Sequence, residues 1–171
     1  HDHCGSCDSG YYMTGTDCTG YAGACAYGTL IAQPMRTQDD HCGTCDSGYY
    51  LANKACVAYS GACPNGALIA QASRTQDGHC GTCDAGYYLE GKQCKAFAGV
   101  CKNGILIAQD KRTQHHHCGV CHAGHYMTGE SCTAYAGACA NGALIAQASR
   151  TQHDHCGKCS AGYYLSGTDC V

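Results

Sequence analysis

The cysteines of this chain are strictly periodic. C-x-x-C pairs begin at Cys4, Cys42, Cys80, Cys118 and Cys156, a constant step of 38 residues with no insertion. A feature that occurs five times marks a repeated unit rather than one active site. Each unit follows C-G-x-C-x-x-G-Y-Y-[LM]-x-x-x-x-C-x-x-[YF]-x-G-x-C-x-x-G-x-L-I-A-Q-x-x-R-T-Q-x-x-H closely, so four Cys fall at fixed offsets. The period divides the chain into the end of one unit (1–3), repeats at 4–41, 42–79, 80–117 and 118–155, and a partial fifth at 156–171. Both ends fall inside a unit and no atypical capping unit is visible, which leads to the expectation of a window on a longer polymer of units.

Such a unit cannot rely on a conventional core. The chain has 19 Cys and 24 Gly but one Phe, no Trp and three Met, and its 44% apolar content counts Cys, Ala and Tyr. With few large aliphatic side chains to offset a chain entropy of roughly 1–2 kcal/mol per residue, folding calls for covalent or metal staples. The expected class is a small disulfide-rich, mainly β and irregular fold in an oxidising compartment, with a cytosolic metal protein as the alternative.

Local punctuation suggests two small β-hairpins per unit. Tyr-Tyr-Leu is rich in strand formers. Asn65-Gly66, Asn103-Gly104 and Asn141-Gly142, with Tyr27-Gly28 in the first copy, stand between a Cys and Leu-Ile-Ala and read as tight hairpin turns. The following A-L-I-A-Q-A-S-R reads as a strand, with one or two helical turns as the alternative.

The cysteines admit several chemistries. C-G-T-C resembles a redox dithiol, but that chemistry wants a helix after the motif, and here Gly-Tyr-Tyr follows two residues later. Zinc would have enough ligands in four Cys plus the recurrent His3, His41, His79, His117 and His155, although six residues separate Cys56 from Cys63 where zinc knuckles use two to four. The simpler reading packs each His on a disulfide and a neighbouring Tyr. Cys118, Cys121 and His122 match a haem-attachment motif. Asp8, Asp46, Asp84 and Ser160 replace His122 in the other copies, so haem is not expected. His115, His116, His117, His122 and His125 form a His-rich stretch in one repeat only, read as incidental. No metal and no cofactor are assigned.

Disulfides are the leading account. The run C-x-x-G-Y-Y…C resembles the last loop of EGF-like domains, where the Cys before the Gly-aromatic pair bonds the Cys that closes the loop. That resemblance implies Cys7 with Cys18, Cys45 with Cys56, Cys83 with Cys94, Cys121 with Cys132 and Cys159 with Cys170. The remaining Cys then link Cys25 with Cys42, Cys63 with Cys80, Cys101 with Cys118 and Cys139 with Cys156, which leaves Cys4 over. Each such loop is worth on the order of 3 kcal/mol. EGF domains have a third disulfide and a C-x-C where this chain has C-x-x-C. The whole pattern is similar to tandem cysteine-rich repeats of large secreted or surface proteins of unicellular eukaryotes. Together these likenesses imply a tandem array of 38-residue EGF-like repeats forming an elongated rod or fibre outside the cell.

Function follows from repetition. A net charge of −3, with 10 Lys and Arg against 13 Asp and Glu, offers no basic stripe for nucleic acid, and no apolar run is long enough to span a bilayer. No non-repeating set of nucleophile, base and acid stands out, so no enzyme is expected. The expectation is a structural building block that self-associates into an extracellular filament, appendage or matrix. An EGF-like ligand- or glycan-binding module and a Cys/His metal-binding array are the alternatives. Lateral contacts would fall on the Tyr pairs (Tyr11 and Tyr12, Tyr49 and Tyr50, Tyr87 and Tyr88, Tyr163 and Tyr164) or on Arg-Thr-Gln. In the simpler reading the Tyr rings cover the disulfides, and Arg36, Arg74, Arg112 and Arg150 are solvated or pair with Asp. No N-glycosylation sequon occurs, but Thr37, Thr75, Thr113 and Thr151 are candidate O-glycan acceptors.

Overall fold

The computed structural model describes residues 4–171, so His3 and the 1–3 segment lie outside the described residues. The chain forms two compact units: one runs up to Cys83 and includes Leu89–Cys94, the other comprises Asp84–Tyr88 and Lys95–Val171. Both are built from alternating short and long β-hairpins, each a sheet of two strands.

In the first unit the short hairpins pair Tyr11–Thr14 with Asp17–Gly20 and Tyr49–Ala52 with Ala55–Ala58. The long ones pair Gly28–Leu30 with Cys42–Cys45 and Gly66–Leu68 with Cys80–Cys83, each with a bulge before its Leu. In the second unit the short hairpins are His125–Thr128 with Ser131–Ala134 and Leu165–Ser166 with Asp169–Cys170. Its long hairpins are Gly104–Leu106 with Cys118–Cys121 and Gly142–Leu144 with Cys156–Cys159. The sheet of Tyr87–Glu90 and Gln93–Ala96 carries the chain from one unit to the next. A cut before Cys42, Cys80, Cys118 or Cys156 therefore falls inside a long hairpin, because the second strand of that hairpin is the C-x-x-C tetrapeptide itself.

The short hairpins turn on two residues, as the right-handed twist of their strands demands. Asn53 and Lys54 both have positive φ (49° and 67°), and in another copy Gly15 takes the positive φ at the first central position. The long hairpins close over a single 3₁₀ turn instead: Gln33–Met35, Gln71–Ser73, Gln109–Lys111 or Gln147–Ser149.

Two readings of the sequence change here. Asn-Gly does not join paired strands. Asn103 takes φ 63°, and the Gly104 N–H donates to the Cys101 carbonyl at 3.3 Å, a turn that aims the chain into a strand. The segment after it is a strand for only three residues, Gly66–Leu68 in the second copy, before Gln71–Ser73 coils. Its side chains Gln71 and Arg74 are drawn inward to backbone acceptors, which a flat strand would not allow.

Sulfur supplies the core. Among the described residues the buried apolar side chains are Cys42, Cys63, Cys80, Cys118, Cys156 and Cys170. Leu51 is 50% exposed and Met13 42%, although each sits directly across its hairpin from a cysteine, Cys56 and Cys18. Tyrosines stack on one another rather than forming a sealed layer: Tyr12 on Tyr21 and Tyr50 on Tyr59 at 4.9 Å, and Tyr27 on Tyr49 at 4.4 Å. In the second unit Tyr88 stacks on Phe97 and Tyr126 on Tyr135.

Candidate functional site

Nine disulfides join Cys7 to Cys18, Cys25 to Cys42, Cys45 to Cys56, Cys63 to Cys80, Cys83 to Cys94, Cys101 to Cys118, Cys121 to Cys132, Cys139 to Cys156 and Cys159 to Cys170; Cys4 is a free, exposed thiol. The two Cys of a C-x-x-C never bond each other. In the four pairs from Cys42 onward they stand three residues apart on one extended strand, about 10 Å at the rise of a β-strand, whereas a disulfide needs Cα atoms roughly 4.4–6.8 Å apart. Cys118 and Cys121, the haem-like pair, are likewise bonded to Cys101 and Cys132.

Disulfides meet in pairs. Cys25 Sγ lies 3.7 Å from Cys56 Sγ, so the bond that closes the long hairpin abuts the bond that staples the next short one. The same contact occurs at 3.8 Å between Cys63 and Cys94, 3.7 Å between Cys101 and Cys132, and 3.8 Å between Cys139 and Cys170. Nine bonds of this kind point to an oxidising environment.

The glycine before each Leu strand makes room for these sulfurs. A Cβ on Gly104 would sit 2.7 Å from both Cys101 Sγ and Cys132 Sγ and 2.3 Å from the Val120 carbonyl oxygen. Gly66 is equally confined, 2.8 Å from Cys94 Sγ and 2.2 Å from the Thr82 oxygen. Sequence reasoning assigns this glycine to a hairpin turn and misses its partner, because the confining cysteine lies in the next repeat.

Around the sulfur pairs, side chains bond backbone at long range. Gln33 Nε2 donates to the Gly10 carbonyl at 2.7 Å, and Gln71, Gln109 and Gln147 do the same to Gly48, Gly86 and Gly124. Arg36 reaches two carbonyls, Ile31 through Nε and Tyr21 through Nη1, both at 3.0 Å. Arg74, Arg112 and Arg150 repeat the fork onto Ile69 and Tyr59, Ile107 and Phe97, and Ile145 and Tyr135. These half-buried arginines neither wave in solvent nor pair with Asp. A guanidinium holds several donors in a fixed plane, and here they satisfy carbonyls that no strand partner reaches.

The recurrent His is an acceptor for backbone. Nδ1 of His41, His79, His117 and His155 takes the N–H of Thr37, Thr75, Thr113 and Thr151 at 3.2 to 3.3 Å. The Thr-x-x-x-His spacing is the signal that sequence reading overlooks. All four Thr are exposed. Their hydroxyls still have partners: Thr37 accepts from Lys54 Nζ at 2.6 Å, Thr75 from Lys92 Nζ, Thr113 donates to Glu130 at 2.6 Å, and Thr151 lies 3.3 Å from His155 Nδ1.

The His-rich stretch does not converge. His115 and His116 bond the backbone at Ala98 and Val100, and His125 bonds Ala123. Among the described residues, the groups of three or more potential metal ligands are the sulfur sets alone, such as Cys25, Cys42 and Cys56. No described helix is long and apolar enough to cross a membrane.

No protein-family model matches this chain, and no curated protein or solved structure matches it.

Proposed function

We propose that the chain is a non-enzymatic structural element of an extracellular filament, appendage or matrix. The observation that carries this reading is the repetition of chemistry along with sequence: the same staples, Gln and Arg bonds recur in successive copies, and the buried apolar side chains are half-cystines. A module built to bind one ligand would be expected to devote some copy to a distinct pocket. Here the differences between copies fall mostly on exposed positions, with Phe97 and His125 each standing where other copies have Tyr.

Self-association has two supports. Among the described residues every sheet is two-stranded, so its outer edges carry backbone groups of the kind other chains can join. One apolar side chain also recurs exposed at each 38-residue step: Met13, Leu51, Leu89, Met127 and Leu165. Equivalent residues on identical copies match at a constant offset, and such head-to-tail or lateral contacts need not close. The Arg of Arg-Thr-Gln is spent internally, which leaves these residues and the Tyr rings as the contact surface. The four exposed Thr offer O-glycan acceptors that would keep an assembled fibre soluble and protease-resistant.

The test is sedimentation and negative-stain imaging of secreted, unreduced protein over a wide concentration range. The expected result is concentration-dependent assembly that disappears when Met13, Leu51, Leu89, Met127 and Leu165 are all changed to Asp. A strictly monomeric chain at every concentration would overturn the assembly reading.

A further inference from the structure

We infer that each pair of abutting disulfides is a latent tetrathiolate site, which takes one thiophilic metal ion, such as Zn²⁺, once both bonds are reduced. Four such sites are present: Cys25, Cys42, Cys45 and Cys56; Cys63, Cys80, Cys83 and Cys94; Cys101, Cys118, Cys121 and Cys132; Cys139, Cys156, Cys159 and Cys170.

Spacing is the first argument. Four sulfurs at about 2.3 Å from a central zinc stand about 3.8 Å apart. The contacts between the two disulfides of a pair already measure 3.7, 3.8, 3.7 and 3.8 Å. Three sulfurs of each set lie within 4.8 Å of one another, and the fourth is bonded to one of those three. Reduction must open each S–S bond to a tetrahedral edge and let the fourth sulfur, which lies outside the cluster of three, swing in.

Surroundings are the second argument. Cys42, Cys80, Cys118 and Cys156 are 3%, 1%, 4% and 2% exposed, so water competes poorly for the metal there. The site still has a way in: open grooves are lined by Cys80 and Cys94 with Asp77 in one copy, and by Cys118 and Cys132 with Ser131 in another. The glycines at 28, 66, 104 and 142 keep the space beside the sulfurs free of a side chain. The Gln and Arg bonds that hold the loops contain no sulfur, so a reductant does not cleave them directly.

The chemistry balances. Two dithiol reductants, or two equivalents of a phosphine with water, deliver four electrons and four protons and convert two disulfides to four thiols. Binding of one divalent ion then releases those four protons and leaves a tetrathiolate of formal charge −2. His41, His79, His117 and His155 take no part, since none brings a ring nitrogen into these sulfur groups.

The test uses the full chain, reduced anaerobically with a phosphine and titrated with Co²⁺ alone. The expected result is the visible and thiolate charge-transfer absorption of tetrahedral tetrathiolate cobalt, saturating at four ions per chain. Cys101→Ser should lower the count to three. Cys7→Ser should leave it at four, because the Cys7–Cys18 bond has no second disulfide beside it. Saturation at five ions, or equal losses in both variants, would show local chelation by each C-x-x-C and overturn the proposal. Absence of the tetrahedral spectrum would overturn it as well. Neither outcome bears on whether the oxidised chain assembles into filaments.

Discussion

Two stretches of backbone, Ala22–Ala24 and Ala98–Val100, occupy equivalent places in the first and third copies, yet they are held by different chemistry. Asp39 accepts the Ala22 N–H and Asp40 the Ala24 N–H, each at 2.7 Å. In the later copy His115 takes the Ala98 N–H at 3.0 Å and His116 the Val100 N–H at 3.1 Å, both through Nδ1. The fourth copy mixes the two solutions, and the second has one aspartate followed by Gly78. Asp77 caps Ser60 at 2.6 Å, and His153 caps Ala136 at 3.1 Å beside Asp154 on Ala138 at 2.7 Å. The contact needs one acceptor atom at one place, which a carboxylate and a neutral imidazole both supply. They differ in strength: a bond to a charged acceptor is shorter and roughly twice as strong. His115 Nδ1 also lies 3.3 Å from the Ala98 carbonyl oxygen and His116 Nδ1 2.9 Å from that of Val100, so a change of tautomer turns either from acceptor to donor, a freedom an ionised aspartate lacks.

The largest effects come from removing the staple beside each clamp. Cys101→Ala with Cys118→Ala, and Cys25→Ala with Cys42→Ala, each open an equivalent loop and should cost about 3 kcal/mol locally. Residue-resolved amide exchange is the measure, since an array need not unfold in one step. Protection of Ala98 and Val100 should fall further than that of Ala22 and Ala24 in the matching variant. Equal losses would mean that the aspartates add nothing over the histidines.

Arginine comes next. Arg112→Met and Arg74→Met, the latter in a copy held by Asp77, each remove two charge-assisted bonds to carbonyls and should cost about 2 kcal/mol. The two losses should agree closely, because both arginines make the same three bonds, to an Ile carbonyl, an aromatic residue's carbonyl and a Gln Oε1. A larger loss for Arg112→Met would show that the His-held loop leans on its arginine.

That contrast also marks what sequence can reveal. The period, the mainly β character and the short hairpins are legible because Cys, Gly and Tyr-Tyr carry their own local chemistry. The arginine's role is not, since its acceptors are carbonyls 5 and 15 residues upstream and every residue has a carbonyl. Gln71 reaches 23 residues back to Gly48, again to an atom no letter announces. Gly104 reads as half of a turn, and only the packed structure shows Cys132 Sγ 2.7 Å from where its Cβ would stand. For the cysteines, spacing and parity leave the pairing open, and it is named in advance only by analogy with another family's loop. The 3₁₀ turn at Gln71–Ser73 is likewise hidden, because the residues after Leu68 coil in response to bonds made elsewhere.

A smaller difference separates the clamps themselves. Asp40→Ala strands the Ala24 N–H and should cost about 1 kcal/mol, whereas His116→Ala should cost about half as much at Val100. Amide exchange at those two positions checks the ratio, and a ratio of one would place both acceptors on an equal footing.

The smallest effect is the most informative about why two solutions persist. His115→Asp gains a charged acceptor for Ala98 but gives up ring contacts, because His115 meets Tyr88 edge-on at 5.3 Å and Phe97 at 5.7 Å. His153 repeats this against Tyr126 and Tyr135, and its Nε2 also lies 3.2 Å from the Tyr126 hydroxyl. Aromatic pairs contribute about 0.5–1.5 kcal/mol beyond area, comparable to the gain from a charged acceptor. The net change in stability for His115→Asp should therefore stay within about 0.5 kcal/mol, with the two terms opposed. Adding Phe97→Leu separates them: with one ring partner gone, the same His115→Asp change should become stabilising, while Ala98 exchange slows in both backgrounds. If His115→Asp is equally neutral beside Leu at position 97, the ring contacts contribute nothing. The histidine then differs from aspartate only in the hydrogen bond it accepts.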